Sequence, residues 1–175
     1  MKVSILEEHG YPSAMLGLSL SYDQAPGKMP AVAEKLCFKG EGHSKFLESM
    51  IVWLDIDAPR FLWQQIDAYR IATKQSASTM HTITSKELTQ NNFEYPIPAV
   101  HLDHLNLLIE AAEWERVKRD LPESFLQRRV VCLSYSSLQR IIRQRMSHKL
   151  VEWEKFILSV LEQAEHPEFL IEETK

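Results

Sequence analysis

The chain is short of the residues that build disulfide frameworks, metal clusters and membrane spans. Cysteine occurs only twice, at Cys37 and Cys132, far apart and outside any CxxC spacing. That argues against a disulfide scaffold and a cysteine-rich zinc site, and points to a reducing, cytoplasmic setting. Only five glycines are spread over 175 residues, and neither GxGxxG nor GxxxxGK[ST] is present to cradle phosphates. HExxH is missing too. No stretch approaches the roughly 18 to 20 apolar residues of a membrane span. The start turns acidic at Glu7 and Glu8, too early for a secretory signal. There is no excess of positive charge: a net charge of −4 gives no overall attraction to nucleic acid or anionic lipid. The expected partner is therefore neither nucleic acid nor membrane.

What remains is an ordinary core-forming composition, with 45% hydrophobic and 25% charged residues, enough for one domain over 1–175. Lys2 to Leu6 reads as a short strand. Ser13 to Tyr22 and Met29 to Phe38 read as short helices, and Ser44 stands where a helix N-cap belongs. Met50 to Ile56 has strand composition. Pro59 suits the first turn of the next helix, capped by Asp57 and running to about Ala72. A hydroxyl-rich stretch follows from Thr73 to Thr84. His101 to about Leu121 reads as one long helix with Leu102, Leu105, Leu108, Ile109, Ala112 and Val117 on its buried face, stopped by Pro122. Val130 to Leu133 is extended, a helix carries Arg145, and Leu150 to Ala164 forms the last helix through Trp153, Ile157 and Leu161. The tail from Glu165 onward is expected to be peripheral. The class is α/β (α+β), helix-rich with a small sheet.

One arginine breaks the pattern. Leu138, Ile141, Ile142 and Arg145 recur at the i, i+3, i+4, i+7 spacing of a single helical face. A permanent cation on a buried stripe needs an anionic or planar hydrogen-bonding partner. Trp63, Ile66 and Arg70 repeat this on another helix, with Gln65 beside them. Arg128, Arg129, Arg140, Arg143, Arg145 and Lys149 also form a basic run without an acidic residue. A few guanidiniums suit a phosphate-bearing small molecule better than a duplex. Among weaker signals, His101 and His104 could share a metal but more readily lie on a solvated face. Cys132 reads as a structural thiol, with an activated thiolate as the alternative. Ser136 and Ser137 lack a histidine at a diagnostic position for a hydrolase triad.

Three collinear blocks resemble the flavin-dependent thymidylate synthases. They are Gly42-His43-Ser44-Lys45-Phe46-Leu47-Glu48; Gln65 to Arg70 with Thr73 to Met80; and Leu121-Pro122 with Ser134-Tyr135-Ser136-Ser137-Leu138 and Arg143-Gln144-Arg145. The resemblance implies that family's fold as a single domain, and a homotetramer with sites at subunit interfaces. It implies FAD, deoxyuridine monophosphate and methylene-tetrahydrofolate as ligands, and methylation of the uracil C5. By position it assigns Gln65, Ser78, Lys118 and Arg145 to the nucleotide, Lys118 at a phosphate-binding place. Ser44, Tyr69, Arg70 and Ser134 fall at flavin-contacting positions. Arg145 takes the catalytic role, since a planar cation on the base edge favours the anionic ring and raises electron density at C5.

The chain departs from the signature where the flavin is held and where the nucleotide phosphate is gripped. Ala68 and Tyr69 replace an arginine and a histidine, Gln75-Ser76 an Asn-Glu pair, Met80 an arginine, and Ser134 and Ser136 an asparagine and an arginine. Each lost charge-assisted bond is worth about 1.5 to 3 kcal/mol. The expectation is a thymidylate synthase-like protein that modifies C5 of a pyrimidine deoxynucleotide with a folate-derived one-carbon unit, either with FAD as in the parent reaction or without it, as in a flavin-free hydroxymethylation. The alternative is a non-catalytic nucleotide-binding or regulatory relative.

Overall fold

Alternation along Ile51–Pro59 buries Val52, Leu54, Ile56 and Ala58 while the intervening side chains stay partly exposed, the period-two signature of a strand with one covered face. It is one of four strands in an antiparallel sheet. In the computed structural model, which describes residues 1–40, 42–69, 73–78 and 82–172, the strands are β1 (Lys2–His9), β2 (Ile51–Pro59), β3 (Thr73–Ser76) and β4 (Leu126–Ser134), in spatial order β1-β2-β4-β3. The described helices are α1 (Tyr11–Leu20), α2 (Pro30–Leu36), α3 (Arg60–Ile66), α4 (Ala99–Glu110), α5 (Trp114–Asp120), α6 (Tyr135–Arg145) and α7 (Val151–Gln163). None of them is long and apolar enough to cross a membrane. The mixed α/β class with a small sheet is as the sequence reads.

The chain forms two compact units. One comprises residues 1–2, 56–68 and 75–129; the other comprises 3–55, 69–74 and 130–175. In the first, α4 and α5 supply Leu105, Leu108, Ile109 and Val117 to a core that also takes in Phe93 and Phe125, whose rings meet edge to face at 5.8 Å. The long helix expected from His101 to Leu121 is two helices. The Glu113 N–H bonds to the Leu108 carbonyl and the Ala112 N–H to that of Ile109, both at 2.9 Å. These are the paired bonds of a Schellman closure, and they put Ala112 at φ +54° in the left-handed region. Ala112 is consequently exposed rather than on the buried face.

Other boundaries shift for identifiable reasons. Pro59 closes β2 and stands at the N-cap of α3, one position before its first turn, and Asp57 lies within the strand instead of capping the helix. The first amides of α3 find partners elsewhere: Arg60 N–H donates to the Phe125 carbonyl at 3.1 Å and Phe61 N–H to that of Glu123 at 3.3 Å. α3 stops at Ile66, short of Ala72; residues 70–72 lie outside the described residues. Ser44 makes no side-chain cap; the segment after it is a short 3-10 turn, Lys45–Glu48.

In the second unit, α7 buries Trp153, Phe156, Ile157 and Val160 at helical spacing, with Leu161 only half-buried. The stretch after α7, expected to be peripheral, turns through Pro167–Phe169 and buries Phe169 and Leu170. Phe169 meets Phe46 edge to face at 5.7 Å. Gln139 of α6, itself buried, donates from Nε2 to the carbonyls of Phe169 at 2.7 Å and Cys37 at 3.0 Å.

Candidate functional site

α6 starts cleanly. Ser134 sits at its N-cap with extended backbone, and its Oγ accepts from the Ser137 N–H at 3.2 Å. From there Leu138, Ile141 and Ile142 are buried, and the same stripe carries Arg145 half-buried at the last turn. The guanidinium lies in the angle between two nearly perpendicular rings. Its central carbon is 4.9 Å from the Trp153 centroid and 5.4 Å from that of Tyr69, and those rings stand at 82° to each other. The Arg145 Nε–H donates to the Tyr69 hydroxyl at 2.6 Å. Among the described residues no carboxylate lies within 4.0 Å of it. His148 borders the same indole at 6.4 Å, and its Nδ1 accepts from the Leu150 N–H at 3.1 Å.

A cavity of about 770 Å³ lies in this same unit. Its wall comes from α1 (Ser13, Gly17) with Tyr22 after it, and from His43, Lys45 and Glu48 in the next segment. The size falls within the range of sites for cofactor-sized molecules.

The residues assigned from the sequence distribute as follows. Arg145 and Tyr69 are brought into direct contact. Ser44 is half-buried between His43 and Lys45 of the cavity wall, while Ser134 is engaged at the α6 cap. Gln65 is half-buried on α3, and Lys118 is exposed on α5. Ser78 is exposed beside a small cleft of about 110 Å³ that Lys86, Asn92 and Arg128 also line. Arg70 and Met80 lie outside the described residues. Trp153, read from the sequence only as core, is a principal neighbour of Arg145. Its signal was an aromatic on the helix after a misplaced arginine.

Two weaker signals resolve. His101 Nε2 lies 3.0 Å from the Asp120 carbonyl oxygen and His104 Nε2 3.0 Å from the Asp120 carboxylate, so both imidazoles tie α4 to the end of α5. Among the described residues no three His, Cys, Asp or Glu side chains gather as a metal site. Cys132 is half-buried, and its burial raises the thiol pKa, opposite to an activated thiolate.

No protein-family model matches the chain, and no curated protein does. Solved structures do. A flavin dependent thymidylate synthase, ThyX, from Helicobacter pylori complexed with FAD and dUMP superposes with a TM-score of 0.83 at 19% identity, covering 98% of both chains. A second structure of Thymidylate Synthase X from Helicobacter pylori, with FAD and dUMP, gives a TM-score of 0.84 at 17% identity and the same coverage. The chain thus has the fold of the flavin-dependent thymidylate synthases over nearly its whole length.

Of the positions that the resemblance gives to a flavin, Ser44, Tyr69 and Ser134 are among the described residues, and Ser44 stands between two residues of the cavity wall. The Ser134 hydroxyl accepts from the α6 amide of Ser137 and the Tyr69 hydroxyl from Arg145, which leaves each O–H able to donate. Ala68 brings no charge where the signature has an arginine.

Proposed function

We propose that this chain binds a pyrimidine deoxynucleoside monophosphate and modifies C5 of the base with a folate-derived one-carbon unit, without a flavin. The observation that carries the proposal is the half-buried Arg145, fixed between Tyr69 and Trp153 and without a carboxylate partner among the described residues. A cation so placed is pre-organised for an electron-rich heterocycle edge. The fold supports the reading, because the similar structures hold dUMP. Gln65, Ser78 and Lys118 are proposed as further nucleotide contacts on their positions in the resembling blocks, and methylene-tetrahydrofolate as the carbon donor. Hydroxymethylation needs an activated ring and a carbon donor but no hydride. We further propose a homotetramer, on the resemblance to that family.

The test is a thermal-shift titration with deoxyuridine and deoxycytidine monophosphates, folate present and absent. Stabilisation by one monophosphate is expected, and it disappears in Arg145→Ala. A flat response to both overturns the proposal. Purified protein should be colourless; stoichiometric oxidised-flavin absorbance would overturn the flavin-free part.

A further inference from the structure

A guanidinium can grip two acceptors through either of two kinds of edge, one that includes Nε–H and one made of the two terminal nitrogens. In Arg145 the Nε–H is donated to the Tyr69 hydroxyl at 2.6 Å. Two aromatic rings border the group, with its central carbon 4.9 Å from the Trp153 centroid and 5.4 Å from that of Tyr69. Neither terminal nitrogen has a hydrogen-bond partner among the described residues. We infer that Tyr69 is a positioning residue, which takes the Nε–H of Arg145 so that the arginine meets its ligand end-on through Nη1 and Nη2. The claim rests on the nucleotide reading above and adds the direction of approach and the residue that sets it.

The hydroxyl is what matters here, not the ring. Tyr69→Phe keeps the aromatic wall and frees the Nε–H, so the guanidinium can rotate about its last bond. Tyr69→His restores an acceptor on a planar ring. Two measurements on the intact chain test this. In protein labelled with 15N-arginine, the Arg145 Nε–H should be protected from exchange in the wild type and exposed in Tyr69→Phe, without any ligand. In calorimetric titration with deoxyuridine monophosphate, Tyr69→Phe should bind about tenfold more weakly, the loss of one charge-assisted bond's orienting effect. Tyr69→His should recover most of that loss.

Wild-type affinity in Tyr69→Phe overturns the inference, as does equal weakness in Tyr69→Phe and Tyr69→His, which would mean ring shape alone matters. An unprotected Arg145 Nε–H in the wild type also overturns it. A protected Nε–H in a protein that ignores the nucleotide upholds the pairing and overturns the nucleotide reading instead, so the two failures are distinguishable.

Discussion

Arg129 holds its guanidinium 4.3 Å from the centroid of the Trp63 ring. The same group reaches Asp67 at 3.0 Å and Gln127 Oε1 at 2.9 Å, and Trp63 Nε1 donates to the Gln127 carbonyl at 2.7 Å. β4 and the C-terminal end of α3 are thereby clipped together. Asp67 is 42% exposed, so the ion pair itself contributes little. Packing on the indole is the larger effect, while the buried Arg129 Nε has no partner and weakens the arrangement. Arg129→Ala should cost about 1 to 2 kcal/mol in urea unfolding. Arg129→Met, which keeps the stem over Trp63 and removes the orphaned donor, should cost less than half of that. Equal losses would show that charge, not packing, holds the clip.

Gln139 sits 7% exposed on α6 and supplies two carbonyls that are far apart in sequence. Gln139→Leu keeps the volume but leaves both the Cys37 and Phe169 carbonyls without that donor. Each buried unsatisfied group costs about 1 to 3 kcal/mol, so Gln139→Leu should lose at least about 2 kcal/mol. Resistance to proteolysis around 165–172 should fall with it. A neutral substitution would mean that water replaces the amide.

How much of this was readable from residues alone follows the range of the interactions. Arg145 stood out because its neighbours on the stripe, Leu138, Ile141 and Ile142, lie within two turns, and they are buried as the spacing implies. β2 announced itself by alternation. The division of α4 from α5 was hidden because Ala112 adopts the left-handed conformation, where glycine would have been the signal. The burial of Phe169 depends on Phe46 and Gln139, which periodicity in the tail cannot foresee. Likewise the Tyr69 hydroxyl meets Arg145 across 76 residues. The resemblance assigns the two residues to different ligands, and only the fold brings them into contact.

Gly10 connects β1 to α1 at φ +97°, a conformation that penalises any side chain. A Cβ built there would lie 2.2 Å from the Ser49 carbonyl oxygen, which is backbone and has little freedom to retreat. Gly10→Ala therefore combines left-handed strain with a clash, and should destabilise by roughly 2 to 4 kcal/mol. Gly27→Ala makes the internal control, because no atom stands within 4 Å of its added carbon and its φ is ordinary. Thermal melts of both variants decide the matter; similar midpoints would refute the steric account.

Cys37 gives a pH dependence with a defined sign. Its thiol is 1% exposed, and burial pushes its pKa up from an ordinary 9.0 to about 11. In the unfolded chain the thiol loses its proton near its ordinary value, while the folded chain keeps it neutral. Folding therefore retains more protons than unfolding above pH 9, and stability falls as pH rises. The contribution is complete below pH 9 and is lost progressively as pH climbs through about 11. Cys37→Ala should start lower, from the cavity left in the core, and fall less steeply across that window. Tyr135, whose hydroxyl is also raised by burial and by its bond to Glu8, titrates alike in both proteins and cancels in the difference. Urea unfolding of wild type and Cys37→Ala between pH 8.5 and 11 measures this. Parallel stability curves would show that the thiol ionises in the folded protein as readily as in the unfolded chain.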